Sequence, residues 1–332
     1  MFEPRSVEEK EFVKTPFFFS YSSLNKLSFS PRVFYAHYIL NQREEKPESF
    51  LIEGKLIHAL LLEKDKFDDN FIITPSKIPN PNIKELIDSI YKEEDVSLNS
   101  QLSDFSDSIL FYLKQINLYQ TLKTDQQRLD KINTSENQSY FEFLKIKDSK
   151  ILVSQETYNK CVKGVERIKE DKVVSSKLVT QSSWELLECF NEIELKYFDK
   201  EQDFGFKGVL DNLVIDYQNK VVRINDLKTT GKSIVDFEET VQYYNYWLQA
   251  AIYYKLVKNQ ILSRFKDQEL WTIEFNFIVY DTYEQVYCFP VSNETMELWT
   301  SKFIQRVEEA KYHLNSGDFT LPYRFAMGNV TL

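Results

Sequence analysis

The sequence predicts an α/β protein in which a mixed central sheet is flanked by helices and carries an added helical region. Three observations lead there. Segments with helical spacing of apolar residues alternate with segments in which apolar and polar residues alternate singly. Two strand-like runs, 212–216 and 221–228, flank a polar Gln218-Asn219-Lys220 turn and read as a β-hairpin. A hydrophobic content of 42%, with 26 Phe and 20 Tyr in 332 residues, is enough to bury one large core.

Taken in order, Ser30-Pro31 predicts a helix start, with serine as cap and proline at the first helical position, running over 32–40. Gly54-Lys55-Leu56-Ile57-His58 opens a helix whose stripe is Leu56, Ile57, Leu60 and Leu61, with His58 beside it. From 74 to about 140 the composition turns polar, with Pro75, Pro79 and Pro81 and amphipathic segments at 83–91 and 109–122. The expectation is a single domain over 1–332 with a helical insertion at about 75–140. Ser154 resembles the cap of an amphipathic helix to about 169, and a short helix follows over 171–180. Strands are expected at 184–189 and 192–198, then the hairpin. A Gly- and Pro-free helix carries Gln249 and Tyr253. A strand over 270–280 pairs with 285–289, and an amphipathic helix over 294–315 stops at Gly317.

The chemistry gathers on the hairpin. Side chains alternate along a strand, so Asp226 and Lys228 share one face while Leu227 points to the other. Pairing of the two strands would bring Asp211 near Asp226. Two close carboxylates raise one another's pKa unless a cation or a proton is shared, which makes a divalent metal the natural occupant. Each feature also has a bland reading. Asp226 and Lys228 alone would be a surface ion pair, His58 alone a hydrogen-bonded core residue, and Gln249 with Tyr253, four apart on one helix face, ordinary packing.

In this order, His58, Gly208 with Asp211, Asp226 with Lys228, and Gln249 with Tyr253 resemble the PD-(D/E)xK nuclease superfamily, specifically its RecB-like branch and exonuclease VIII-like phage enzymes. The opening Tyr21-Ser22-Ser23-Leu24-Asn25-Lys26-Leu27 and Ser30-Pro31-Arg32-Val33-Phe34-Tyr35 are similar to that family's entry segment. The resemblance spans roughly 18–255. It implies a restriction-endonuclease-like core. It also implies an exodeoxyribonuclease dependent on Mg²⁺ or Mn²⁺ that degrades linear double-stranded DNA, 5′ to 3′, in phage or prophage recombination or repair. Asp211, Asp226, His58 and the Leu227 backbone carbonyl would ligate the metal, with Glu192 or Glu194 adding a carboxylate; Glu194 is the expected one. Lys228 would orient or deprotonate the attacking water, or stabilise the phosphorane. Gln249 would support the lysine or the phosphate, and Tyr253 would contact DNA or brace the site. A single-strand annealing protein as partner and a homo-oligomer are further implications. A RecB-like endonuclease and a single-strand exonuclease are the alternatives within the class. A catalytically silent DNA-binding or assembly module is the alternative outside it. A glycosidase using the Asp pair would leave Lys228 and His58 without a role.

Composition narrows this further. Three scattered cysteines, Cys161, Cys189 and Cys288, cannot supply the four ligands of an iron–sulfur cluster. No G-x-x-x-x-G-K-[ST] is present, so a motor would be a separate polypeptide. No run of about 18 uncharged apolar residues occurs, and the expectation is a soluble protein of the cytoplasm, the host's if phage-encoded. A net charge of −10 argues against a broad DNA-binding surface and leaves a local basic track, with Lys26, Arg32, Lys207, Lys228 and Lys232 as candidates.

Overall fold

The computed structural model describes residues 4, 6–43, 49–75, 77–182, 186–328 and 330–331. Its strands in chain order are β1 (Phe18–Phe19), β2 (Phe71–Ile73), β3 (Ile151–Val153), β4 (Leu187–Asp199), β5 (Phe204–Asp216), β6 (Val221–Thr230), β7 (Thr272–Asp281) and β8 (Val286–Val291). Backbone contacts divide the chain into two units: residues 1–54, 61–63 and 164–332 form the first, and 55–60 with 64–163 the second.

The first unit is built on a mixed sheet. β5 pairs antiparallel with β4 and β6, β6 pairs parallel with β7, β7 pairs antiparallel with β8, and β1 adds parallel to β5. A parallel β6–β7 pair needs a crossover. The chain makes it through the Phe237–Tyr243 and Tyr246–Gln260 helices. The second of these is buried over most of its length, including Trp247, Leu248, Ala250, Ile252 and Leu256, and the core also takes Leu210, Leu213, Ile224, Phe275 and Phe277 from the sheet. Phe303 and Trp299 of the Asn293–Ser316 helix complete it. That helix is capped by the Ser292 hydroxyl, which accepts the Thr295 N–H at 3.2 Å, and ends on Gly317 at φ 68, a conformation glycine adopts without a Cβ clash.

Two expectations change here. The two strands foreseen at 184–189 and 192–198 are one strand, β4, because Phe190 and Asn191 between them stay paired with Leu213 and Asn212 of β5 and Ile193 resumes in the same register. Trp184 lies outside the described residues. At Ser30-Pro31, proline does occupy the first turn, but the Ser30 side chain makes no cap bond. The helix runs over Pro31–Phe34 and widens into a π-helical turn at Tyr35–Ile39.

A row of asparagines crosses the sheet. Asn191, Asn212, Asn225 and Asn276 stand opposite one another on β4, β5, β6 and β7. Their amides bond in series: Asn212 Nδ2 to Asn191 Oδ1 at 2.9 Å, Asn225 Nδ2 to Asn212 Oδ1 at 2.7 Å, and Asn276 Nδ2 to Asn225 Oδ1 at 3.0 Å. Asn212 and Asn225 also donate to the carbonyls of Val179 and Lys177, which ties that segment to the sheet. A buried amide left without partners would cost about 1–3 kcal/mol, so the chain of bonds holds the strand register.

The second unit has its own core. Helices at Pro81–Glu93, Ser106–Gln115, Asp125–Ile132 and Ser135–Ile146 pack Ile83, Ile87, Ile90, Ile109, Leu113 and Phe141 together. β2 and β3 pair in parallel, Phe71 opposite Ile151.

Candidate active site

The site forms where the central hairpin opens. β4 covers one edge of β5 from Phe204 to Asp216. The other edge is shared by β1 at Gly205 and Phe206 and by β6 at Asn212–Asp216, so the intervening stretch, 207–211, faces no strand there among the described residues. Beyond Asn225, β6 continues in register with β7. The backbone groups freed at the opening find other partners, as buried polar groups must. The Leu227 N–H donates to Asp211 Oδ2 at 2.7 Å, and the Val209 carbonyl accepts the Tyr253 hydroxyl at 2.8 Å. Asp211 and Asp226 are the next opposed positions after the Asn212–Asn225 pair.

Asp226 is fully buried. Its Oδ2 lies 2.6 Å from Lys228 Nζ, as a period of two along a strand allows, and its Oδ1 accepts from Gln249 Nε2 at 2.8 Å. Gln249 also reaches the Tyr253 hydroxyl at 3.0 Å, one helical turn away. Gln249 thus supports the carboxylate of the D-x-K motif, and Tyr253 braces β5 from inside the core. Burial works to lower the pKa of Lys228, but the Asp226 and Asp211 carboxylates outweigh it and the ammonium form is favoured. The Lys228 ammonium also sits over the Tyr246 ring, 4.8 Å from its centre. Burial, then the charges of Asp226 and Asp211, push the Tyr253 hydroxyl well above its ordinary pKa, so it remains a donor.

Gly208 has a packing reason. A Cβ there would stand 2.5 Å from Tyr253 Cε1, so only glycine lets the ring lie against β5. Gly54, on the Ser49–Leu62 helix, is equally tight against the Thr229 hydroxyl, at 2.8 Å for a Cβ. His58 lies one turn further along that helix.

Glu192 and Asp211 each offer a carboxylate oxygen, and these atoms lie within 4.8 Å of one another. Two hard carboxylate oxygens this close suit a divalent cation. Glu192 is the β4 carboxylate that lies beside Asp211. Glu194 is an exposed partner of Lys196 at 2.9 Å. The remaining basic candidates are spread out. Arg32 and Lys207 are exposed on the Pro31–Phe34 helix and on β5, Lys232 is exposed just past β6 and lies 5.8 Å from the Tyr243 ring centre, and Lys26 contacts His37 Nδ1 at 3.2 Å. The asparagine row and Tyr246 are not foreseen from the sequence. Asn191 and Asn225 each stand immediately before an acid, Glu192 and Asp226, and that pairing was the signal available for the row.

A mixed α/β core that delivers a carboxylate and a D-x-K motif at an opened hairpin is the architecture of a nuclease. A model of the PD-(D/E)XK nuclease superfamily matches residues 18–319, and the chain belongs to that superfamily, with its restriction-endonuclease-like fold. A crystal structure from Eubacterium rectale, of a protein provisionally assigned as an exonuclease, is similar at 12% identity and a TM-score of 0.44, covering 100% of this chain and 89% of that one. No curated protein matches the chain. Nucleases of this superfamily use divalent metals. No helix among the described residues is long and apolar enough to cross a membrane.

Proposed function

We propose that this nuclease is an exodeoxyribonuclease that uses Mg²⁺ or Mn²⁺ to degrade linear double-stranded DNA, 5′ to 3′, in phage or prophage recombination or repair. The observation that carries the reading is the junction of Asp211, Asp226 and Lys228 at the open end of the hairpin. Asp211, Asp226, Glu192, His58 and the Leu227 carbonyl would hold the metal, and the closeness of the Glu192 and Asp211 carboxylates supports this. When bound, a divalent ion supplies a water of lowered pKa and offsets charge building on the scissile phosphate. Lys228, kept as an ammonium, donates to a non-bridging phosphate oxygen and so stabilises the same charge. Gln249 fixes the rotation of the Asp226 carboxylate, and Tyr253 fixes β5 beneath Asp211. Arg32, Lys207 and Lys232 contact the DNA backbone in this reading. A single-strand annealing protein is the partner it names, and a homo-oligomer the assembly.

End-labelled linear duplex incubated with the protein and Mg²⁺ or Mn²⁺, beside an Asp226→Ala control and a closed circle, tests it. Loss of the linear DNA alone, abolished in the variant, is the expected result, and release of a 5′ label first gives the direction. Cutting of the circle would replace the exonuclease by an endonuclease. Absence of cleavage with either metal would overturn the reading.

A further inference from the structure

A line of aromatic rings and cations leads outward from Lys228. The Lys228 ammonium lies 4.8 Å from the Tyr246 ring centre, Tyr246 stacks on Tyr244 at 5.6 Å and 24°, Tyr244 meets Tyr243 edge-on at 4.9 Å, and Lys232 lies 5.8 Å from Tyr243. Exposure rises along the line: Tyr246 is half-buried, Tyr244 is 46% exposed and Tyr243 76%. The backbone beneath is held in place. Asn245, at φ 57, separates the Phe237–Tyr243 and Tyr246–Gln260 helices, and its side chain accepts from Trp247 Nε1 at 2.9 Å and donates to Asn25 Oδ1 at 2.8 Å. The Tyr244 carbonyl accepts from the Tyr21 hydroxyl and from Asn25 Nδ2. Beside Tyr21 and Asn25 opens a recess of about 500 Å³ lined also by Lys26, Phe29 and Val33.

Exposed tyrosines interleaved with lysines on a fixed backbone suit a ligand with flat faces and regular negative charges. Paired bases hide their faces in the duplex stack, whereas unpaired bases offer them to aromatic side chains. We infer that Tyr243, Tyr244 and Lys232 form a stacking platform for unpaired nucleotides of single-stranded DNA next to the scissile phosphate. The inference rests on the nuclease reading above for the identity of its ligand. It deepens that reading by having the strand reach Lys228 already separated from its complement.

Equilibrium binding of fluorescent oligothymidylate and of a blunt duplex by the full chain, in EDTA so that nothing is cut, tests the platform. Tyr243→Leu and Tyr244→Leu should each weaken oligothymidylate binding about tenfold while blunt-duplex binding changes little. Tyr243→Trp should retain affinity, which separates stacking from misfolding. Lys232→Gln should reduce the slope of log affinity against log salt by about 0.7. Unchanged oligothymidylate binding in both leucine variants would overturn the platform, as would equal losses on single strand and duplex in variants with unaltered melting temperature. Tighter binding of the matching RNA would overturn the assignment to DNA. Wild-type protein that binds the oligonucleotide in this way yet cleaves no DNA with Mn²⁺ would overturn the nuclease reading and leave the platform standing. Cleavage with indifferent leucine variants would do the reverse.

Discussion

At Gly208 a single hydrogen in place of a methyl group decides how the site is braced. The Tyr253 ring occupies the space a Cβ would take, and its hydroxyl reaches the Val209 carbonyl left free by the opened ladder. Gly208→Ala should therefore cost about 1–3 kcal/mol of stability through overpacking and displace that hydroxyl. Urea unfolding measures the first effect, and a wild-type midpoint would show that the ring moves aside freely. Gln249 acts on the carboxylate directly. Gln249→Leu should keep the helix packed and lower the DNA cleavage rate about 10–100-fold, the usual scale for groups that orient a metal-binding carboxylate. Single-turnover rates across a Mn²⁺ titration would show it, with part of the loss recovered at high metal if orientation is the cause. A variant as fast as wild type would remove Gln249 from the site.

The hairpin is held at both ends, and its turn can be titrated. Asp216 accepts the Asn219 backbone N–H at 2.9 Å and its side-chain amide at 2.8 Å. Partial burial works to raise the Asp216 pKa, but these bonds and Arg223 outweigh it and hold the carboxyl below its ordinary value. A depressed folded pKa means that the stabilisation is complete above the unfolded value of about 3.9 and is lost as pH falls through the folded one. Urea midpoints measured from pH 6 to pH 3 should fall on the acid side, and Asp216→Asn should flatten that limb. Identical acid limbs would assign the loss to other carboxylates. At the far end, the asparagine row fixes the register that sets Asp211 against Asp226. A slip of one residue in β6 would turn Asp226 to the face opposite Asp211.

Across the whole molecule, a net charge of −10 confines DNA affinity to local positive positions. Arg32, Lys207 and Lys232 are exposed and carry the proposed phosphate interactions. Replacing Arg32 or Lys207 by Gln should lower the slope of log duplex affinity against log salt by about 0.9 for every phosphate no longer neutralised, with little effect on unfolding. Fluorescence anisotropy between 50 and 200 mM salt, roughly the range over which such slopes are read, would check this. An unchanged slope in any one variant would take that residue out of the interface.

Much of this was legible without coordinates because it is local. Strand periodicity places Asp226 and Lys228 on one face whatever the neighbours are, helical periodicity pairs Gln249 with Tyr253, and Gly317 ends its helix through its own backbone freedom. The order of these motifs along the chain is likewise a property of the sequence, and the superfamily match over 18–319 agrees with it. The tertiary structure decided what depends on residues distant in sequence. It set Glu192 beside Asp211, gave Gln249 to Asp226, packed Tyr253 on Gly208 and aligned four asparagines from four strands. Each of these outcomes requires knowing which strand lies beside which and in what register. A chain's local periods do not contain that information, because register is set by the packing of the whole core.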